Sequence, residues 1–265
     1  MRRRDCMSTG IDFAREQEPF EEIRSIAVLR GGGLGDVLFA APAIAALRAT
    51  YPQARITLLG TTLHRQLLLG RFRAVDEVDV IPGVPGETSG DTGDRDAVEA
   101  LVERLSGSFD LGVQLHGGGR NSNPFLQRFG PRHTVGTRTE DAAPLERNLA
   151  YVYYQHEILR ALEVVGLAGC RPVTLEPRIT PSAQDRAAGD AWLRDLPGPV
   201  LVVHPGATDP RRRWPVPRFA EITARFVRAG APSSSGAGRM PGRRRVFPQD
   251  PPRGLRRWRP GGGRS

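Results

Sequence analysis

The chain has 265 residues, 39% of them hydrophobic and 25% charged, with a formal net charge of +9. That is enough apolar material for one large domain or two modest ones, and too much for a wholly disordered chain. The longest uncharged apolar run, Val37–Leu47, has 11 residues and contains Pro42, against the roughly 20 that a membrane-spanning helix needs.

Residues 1–22 are charged and lack the apolar stretch of a secretory signal, so they are expected to form a disordered leader in which Met7 competes with Met1 as the start. Ser25–Leu29 is a short apolar run ending at glycines, which predicts a buried strand. Asp36–Thr50 predicts a buried helix with Pro42 in or near its first turns. A strand over Arg55–Leu59, a helix over Leu63–Leu69 and a strand over Glu77–Ile81 follow. Pro82 to Arg95 is a Pro/Gly/Asp/Thr-rich loop at a strand end, where functional loops often sit. A helix over Ala97–Leu105 and a strand over Asp110–Leu115 continue the alternation, which argues for a parallel α/β sheet covered on both faces. Asn148–Val165 predicts a helix stopped by Gly166, and the three prolines of residues 171–182 predict an interdomain linker. A second α/β unit then begins, with a helix over Ala183–Leu196, a strand over Pro199–His204 and a helix over Val216–Ala229. Phe219, Ile222 and Phe226 fall on one face of that last helix.

Beyond Gly230 the pattern breaks. Residues 231–265 hold nine Arg against one acid, Asp250, and 26 of the 35 are Arg, Gly, Pro or Ser. Such a segment buries too little apolar surface to offset its conformational entropy, so it is expected to be a disordered tail with no strand. A basic tail for RNA or acidic surfaces is one reading. A shifted reading frame that replaced the rest of a domain just begun is the other, and the abruptness of the break favours it. The remaining 230 residues are nearly neutral, with 29 basic and 28 acidic side chains, so the folded body carries no signal for specific nucleic-acid binding. The chain contains no lysine, which removes the Walker P-loop. Cys6 and Cys170 supply neither a disulfide framework nor a metal cluster, and a cytosolic protein is the expectation. The five histidines show no metal spacing.

Two loops carry chemistry. The first, Arg30-Gly31-Gly32-Gly33-Leu34-Gly35-Asp36, follows a strand and opens a helix, where glycines let a ligand approach backbone N–H groups. It is not a dinucleotide fingerprint: Asp36 stands where G-x-G-x-x-G needs glycine, and Thr61 and Thr62 stand where a ribose-binding acid would follow. Asp36 has two readings, a first-turn helix acid favoured by the macrodipole and a general base at the carboxyl edge of the sheet. The second loop runs from His204 to Pro215 (HPGATDPRRRWP). Gly206 and Thr208 offer N–H and hydroxyl donors there, and the arginines offer bidentate phosphate clamps. A solvated arginine run before a Pro-started helix is the plainer alternative.

Together, RGGGLGDVLFAAPAIAALRATYPQARITLLG and HPGATDPRRRWPVPRFAEI resemble the heptosyltransferase-like glycosyltransferases of family 9, and DLGVQLHGGGR and His133–Gly136 fit the same family. The resemblance covers residues 23–230. It implies an α/β, GT-B-like fold: a complete N-terminal, acceptor-side Rossmann-like domain over residues 23–178, facing across a cleft a donor-side one of which residues 179–230 are the beginning. It implies inverting transfer of a heptose-like sugar from a nucleotide-sugar such as ADP-heptose to a saccharide or lipid-linked acceptor, with no metal and no cofactor. Asp36 takes the place of the catalytic base and Arg212 that of a basic residue, usually Lys, that meets the charge on the leaving diphosphate. Gly206, Thr208 and Arg213 would add phosphate contacts, and Gly33, Leu34 and Gly35 form the acceptor-side loop. The expected location is cytoplasmic, at the inner face of the plasma membrane, with peripheral membrane contact. The family's later nucleotide-binding motifs have no counterpart in residues 231–265, so this chain is expected to be impaired. A non-catalytic sugar- or nucleotide-binding remnant is the alternative.

Overall fold

The computed structural model describes residues 17–82, 95–194, 201–207, 209–228, 233–235 and 256–257. The chain divides into two compact units, Met1–Ser182 and Ala183–Ser265. The division falls four residues beyond the expected boundary of 178/179. Ile179 packs on the first unit's core and the Thr180 N–H donates to the Arg71 carbonyl at 2.9 Å, which ties this stretch to the first unit. Residues 1–16 of the expected leader 1–22, residues 83–94 of the expected loop, Thr208 and nearly all of the tail lie outside the described residues, whereas Phe20, within the expected leader, is buried in the first unit's core and donates its N–H to the Tyr51 hydroxyl, so that part of the leader is ordered.

The first unit is a six-stranded sheet: β1 (Ser25–Leu29), β2 (Arg55–Gly60), β3 (Glu77–Val80), β4 (Leu111–Gln114), β5 (His133–Arg138) and β6 (Arg147–Ala150). All pairings are parallel, in the order β3-β2-β1-β4-β5-β6. This is the doubly wound order, whose switch point lies between β1 and β4. The side chains of β1 explain why its sequence is a continuous apolar run. Ile26 and Val28 enter one core cluster with Ile44 and Leu47 of α1 (Leu34–Thr50), Leu68 of α2 (Thr62–Leu68) and Val164 of α5 (Glu157–Gly166). Ala27 and Leu29 enter the other, with Leu101 of α3 (Arg95–Leu105) and Phe125 of α4 (Ser122–Gln127). Both faces are covered, so alternation is absent.

Three expectations need correction here. Pro42 is interior to α1, because the helix starts at Leu34 and not at Asp36. The alanine-rich, buried helix tolerates the lost backbone bond within its packing. Residues 148–165 are not one helix. Arg147–Ala150 is the edge strand β6, and α5 begins only at Glu157, N-capped by His156, whose ring accepts the Ile158 N–H. The run Tyr151-Val152-Tyr153-Tyr154 separates them, and such β-branched and aromatic residues are poor helix formers.

The second unit contains α6 (Ala183–Leu193), β7 (Leu201–Val203), a 3₁₀ turn (Pro210–Arg212), α7 (Val216–Arg228), β8 (Ser233–Ser235) and β9 (Arg256–Arg257). The third correction is that a strand does follow α7: β8 pairs in parallel with β7, and β9 with β8. Parallel pairing uses only backbone N–H and carbonyl groups, which the serines supply without any apolar pattern. On α7, Ile222 and Phe226 are 42% and 47% exposed. No helix among the described residues is long and apolar enough to cross a membrane.

Candidate functional site

The β1–α1 turn sits at the carboxyl end of β1, beside the switch point. Gly32 takes φ +92, a left-handed conformation that side chains disfavour. Gly33 is the extended N-cap of α1 and has no side chain to cap with. The cap therefore comes from the other direction: Asp36 Oδ2 accepts the Gly33 N–H at 2.7 Å. Asp36 thus satisfies an orphan backbone donor, yet its side chain remains 49% exposed. Asp36 is thus the first-turn acid of α1, and its carboxylate is at the same time accessible.

Arg30 fixes the other carboxylate oxygen. Its guanidinium is 5% exposed and pairs with Asp36 Oδ1 at 2.9 Å and, more loosely, with Glu157 Oε2 at 3.5 Å. It also donates to the Asp36 carbonyl at 3.1 Å and to the carbonyl of Leu115, just past β4. One buried cation therefore joins the starts of α1 and α5 to the end of β4. Glu157 is held from its own helix by an ion pair with the buried Arg160, which also donates to the Val152 and Gln155 carbonyls.

His116 follows Leu115 at the same edge. Its turn is locked by Gln114, whose amide donates to the His116 carbonyl at 2.9 Å and to Ser122 Oγ. The ring is half-buried, and its Nδ1 has no partner among the described residues. Burial, helped by Arg30 and opposed by Asp36 and Glu157, lowers its pKa below the ordinary 6.5. A neutral imidazole at this place offers both a donor and an acceptor. Among the described residues no three His, Cys, Asp or Glu side chains group as metal ligands.

Gly32→Ala tests how tightly this geometry depends on the turn. An added Cβ would lie 2.5 Å from Asp36 Oδ2 and would be forced into φ +92. The strain alone is about 1–3 kcal/mol, and the carboxylate must move to relieve the contact. The expected outcome is a stability loss of that order in chemical denaturation, with accelerated exchange of the Gly33 amide as its hydrogen bond to Asp36 is displaced.

The structure brings Gly33, Leu34, Gly35 and Asp36 together in this turn, with Leu34 48% exposed. In the second unit, Gly206, Arg212 and Arg213 line the segment between β7 and α7. Asp209 caps the 3₁₀ turn by accepting the Arg211 N–H at 2.9 Å, and it also binds the Arg211 guanidinium at 2.7 Å. That guanidinium holds the Asp209 carboxyl below the usual carboxylate range. Arg213 Nε donates to the Ala207 carbonyl at 2.7 Å. The Arg212 side chain makes no ion pair with any described residue. By sequence Arg30 heads the first loop and His116 lies in the DLGVQLHGGGR stretch, but neither carries a role there, and Glu157 is not singled out. The signal for the first two was a polar residue directly after an apolar strand.

By sequence, the chain matches no family model and no curated protein. Solved structures share its fold. The chain is similar to the glycosyl transferase family 9 from Veillonella parvula DSM 2008, with TM-score 0.67 and 16% identity over 83% of this chain and 64% of that one. It is similar to E. coli ADP-heptose lps heptosyltransferase II, with TM-score 0.59 and 21% identity over 80% of this chain and 64% of that one. A third likeness is to E. coli heptosyltransferase WaaC with ADP-2-deoxy-2-fluoro heptose, with TM-score 0.55 and 18% identity over 81% and 69% of the two chains. The fold is therefore α/β and GT-B-like, as expected. The chain spans less than two thirds of the length of the first two structures.

Proposed function

We propose that this chain is a glycosyltransferase of the family 9, heptosyltransferase-like kind, moving a heptose-like sugar from a nucleotide-sugar to a saccharide or lipid-linked acceptor. The observation that supports this most is Asp36: a half-exposed carboxylate, oriented by the Gly33 N–H and by Arg30, at the switch point of a GT-B-like sheet. Ligands of open α/β sheets bind at such points.

In this reading the acceptor hydroxyl meets the Asp36 carboxylate. The carboxylate takes the hydroxyl proton as the oxygen attacks the anomeric carbon. The bond from that carbon to the diphosphate breaks on the opposite side, so configuration inverts. The diphosphate leaves with the bonding pair, and its negative charge is met by Arg212 and Arg213 with N–H and hydroxyl donors from Gly206 and Thr208. Guanidinium groups suit this task because they stay protonated and bind phosphate oxygens in pairs. In this reading the charge is met by arginines, with no step assigned to a metal.

The test is release of nucleoside diphosphate from a panel of nucleotide-sugars, with and without saccharide acceptors, in the presence of EDTA. Acceptor-dependent release from an ADP-sugar that persists in EDTA is expected. Absence of release from every donor, or its abolition by EDTA, would count against the reading. The capping role of Asp36 favours one alternative, a non-catalytic sugar- or nucleotide-binding protein. That alternative predicts saturable nucleotide-sugar binding without any acceptor-dependent release.

A further inference from the structure

The loop between β6 and α5 shows two aromatic rings to solvent. Tyr153 and Tyr154 are 75% and 94% exposed, and Val152 before them is 54% exposed. Their backbone is nevertheless held. The buried Arg160 guanidinium donates to the carbonyls of Val152 at 2.6 Å, Gln155 at 3.0 Å and Tyr153 at 3.4 Å. It also lies over the Tyr151 ring, 4.4 Å from the centroid, and the Gln155 N–H closes the turn on the Val152 carbonyl at 3.2 Å. The loop's carbonyls are gathered on one buried cation, which leaves the side chains of residues 152–154 outside. The two exposed rings meet edge to face, with centroids 5.1 Å apart and planes at 89°. Each ring limits the other's rotation in this arrangement. A held backbone carrying tyrosines is what binding loops use, because a stiff, amphipathic side chain covers much area at little entropic cost.

The loop belongs to the same edge as Asp36. It follows the carboxyl end of β6 and runs into α5. The His156 ring there lies 5.8 Å from the Phe39 ring of α1, and Glu157 shares the Arg30 guanidinium with Asp36. Among residues 151–159, Glu157 is the only Asp, Glu, Lys or Arg. The segment therefore brings no lysine or arginine to an anionic lipid or nucleic-acid surface, whose attraction depends on such cations. What it brings is flat apolar faces ending in hydroxyls. A pyranose ring is the chemical complement, with a C–H face and a rim of hydroxyls.

We propose that Tyr153 and Tyr154 form a platform for the acceptor saccharide: one pyranose ring of the acceptor lies on a tyrosine face while a hydroxyl of a neighbouring ring reaches Asp36. The inference rests on reading Asp36 as the acting group. It narrows the acceptor to an oligosaccharide, with one ring for the carboxylate and another for the platform.

The experiment titrates the full chain with maltotriose, cellotriose and chitotriose, with no nucleotide-sugar present. The chain has four tyrosines, so NMR with labelled tyrosine can follow the Tyr153 and Tyr154 rings. At least one trisaccharide is expected to shift them saturably. Tyr153→Ala and Tyr154→Ala should each weaken that binding about three- to tenfold, the share of one aromatic contact. Tyr153→Phe and Tyr154→Phe keep the ring face and should keep the binding. Both side chains are exposed, so the urea midpoint should stay where it is in all four variants. No shift with any of the three sugars, or a shift that survives both alanine variants, would overturn the proposal. So would binding to vesicles of phosphatidylcholine and phosphatidylglycerol, in place of the sugars, that the alanine variants abolish. Transfer is not measured, so the platform can fail while the transferase reading stands, and the converse.

Discussion

Asp36→Asn is expected to reduce the turnover of sugar transfer by about 10²–10⁴-fold, the usual contribution of a positioned general base. The change is nearly isosteric, and the amide oxygen can still accept the Gly33 N–H that Asp36 Oδ2 now receives at 2.7 Å. The start of α1 should therefore hold. What the amide cannot do is take a proton from an attacking hydroxyl. Asp36→Ala removes the cap as well, and should add a stability loss of about 0.5–2 kcal/mol. Steady-state kinetics beside denaturant unfolding distinguishes the two effects. A turnover loss below about threefold in Asp36→Asn, far short of a general base's share, would remove Asp36 from the role.

The second large effect is expected at Arg30. Arg30→Met keeps much of the buried volume but deletes the cation that joins the Asp36 carboxylate, Glu157 and the carbonyls of Asp36 and Leu115. Removing one member of a buried ion pair typically costs about 3–5 kcal/mol. The half-exposed carboxylates can rehydrate, which places the expectation near the lower end of that range. The buried Leu115 carbonyl cannot do so as readily. Unfolding by urea should show a fall in midpoint with an unchanged slope, together with slower transfer, because Asp36 Oδ1 loses its anchor. Arg30→Lys should recover part of the stability and less of the rate, since one ammonium cannot replace a planar fork with several fixed donors. A variant within about 1 kcal/mol of the wild type would show that the buried cation is not what holds this corner.

Much of the first unit was legible because its strands are buried on both faces. Ser25–Leu29 and Arg55–Leu59 stand out as apolar runs bounded by turns, and the structure places strands there. His133–Arg138 and Arg147–Ala150 did not stand out as strands. Seven of their ten residues are partly or fully exposed near the sheet edge, and their composition is polar. Asp36 was legible for a local reason: it directly follows a glycine turn between a strand and a helix. Its partners were not, because their meeting depends on topology. Arg30 reaches Leu115 across 85 residues and Glu157 across 127, and only the adjacency of β1 and β4 brings those groups to one edge.

The order β3-β2-β1-β4-β5-β6 connects these observations to the chemistry proposed. It puts the β1 and β4 ends side by side, so a residue just past each strand, Arg30 and His116, enters one corner with the start of α1. A carboxylate there can meet a ligand from solvent while buried groups hold it from behind. That division of labour, with one exposed acting group and several enclosed orienting ones, is what a single displacement by an activated hydroxyl requires.

The stereochemistry of the product tests this account most directly. Proton NMR of the glycoside formed from a donor of defined anomeric configuration should show the opposite configuration at that carbon, because one oxygen attacks as the diphosphate departs. A product with the donor's configuration retained would contradict the account, since retention calls for a different role at the anomeric carbon than a base acting on the acceptor.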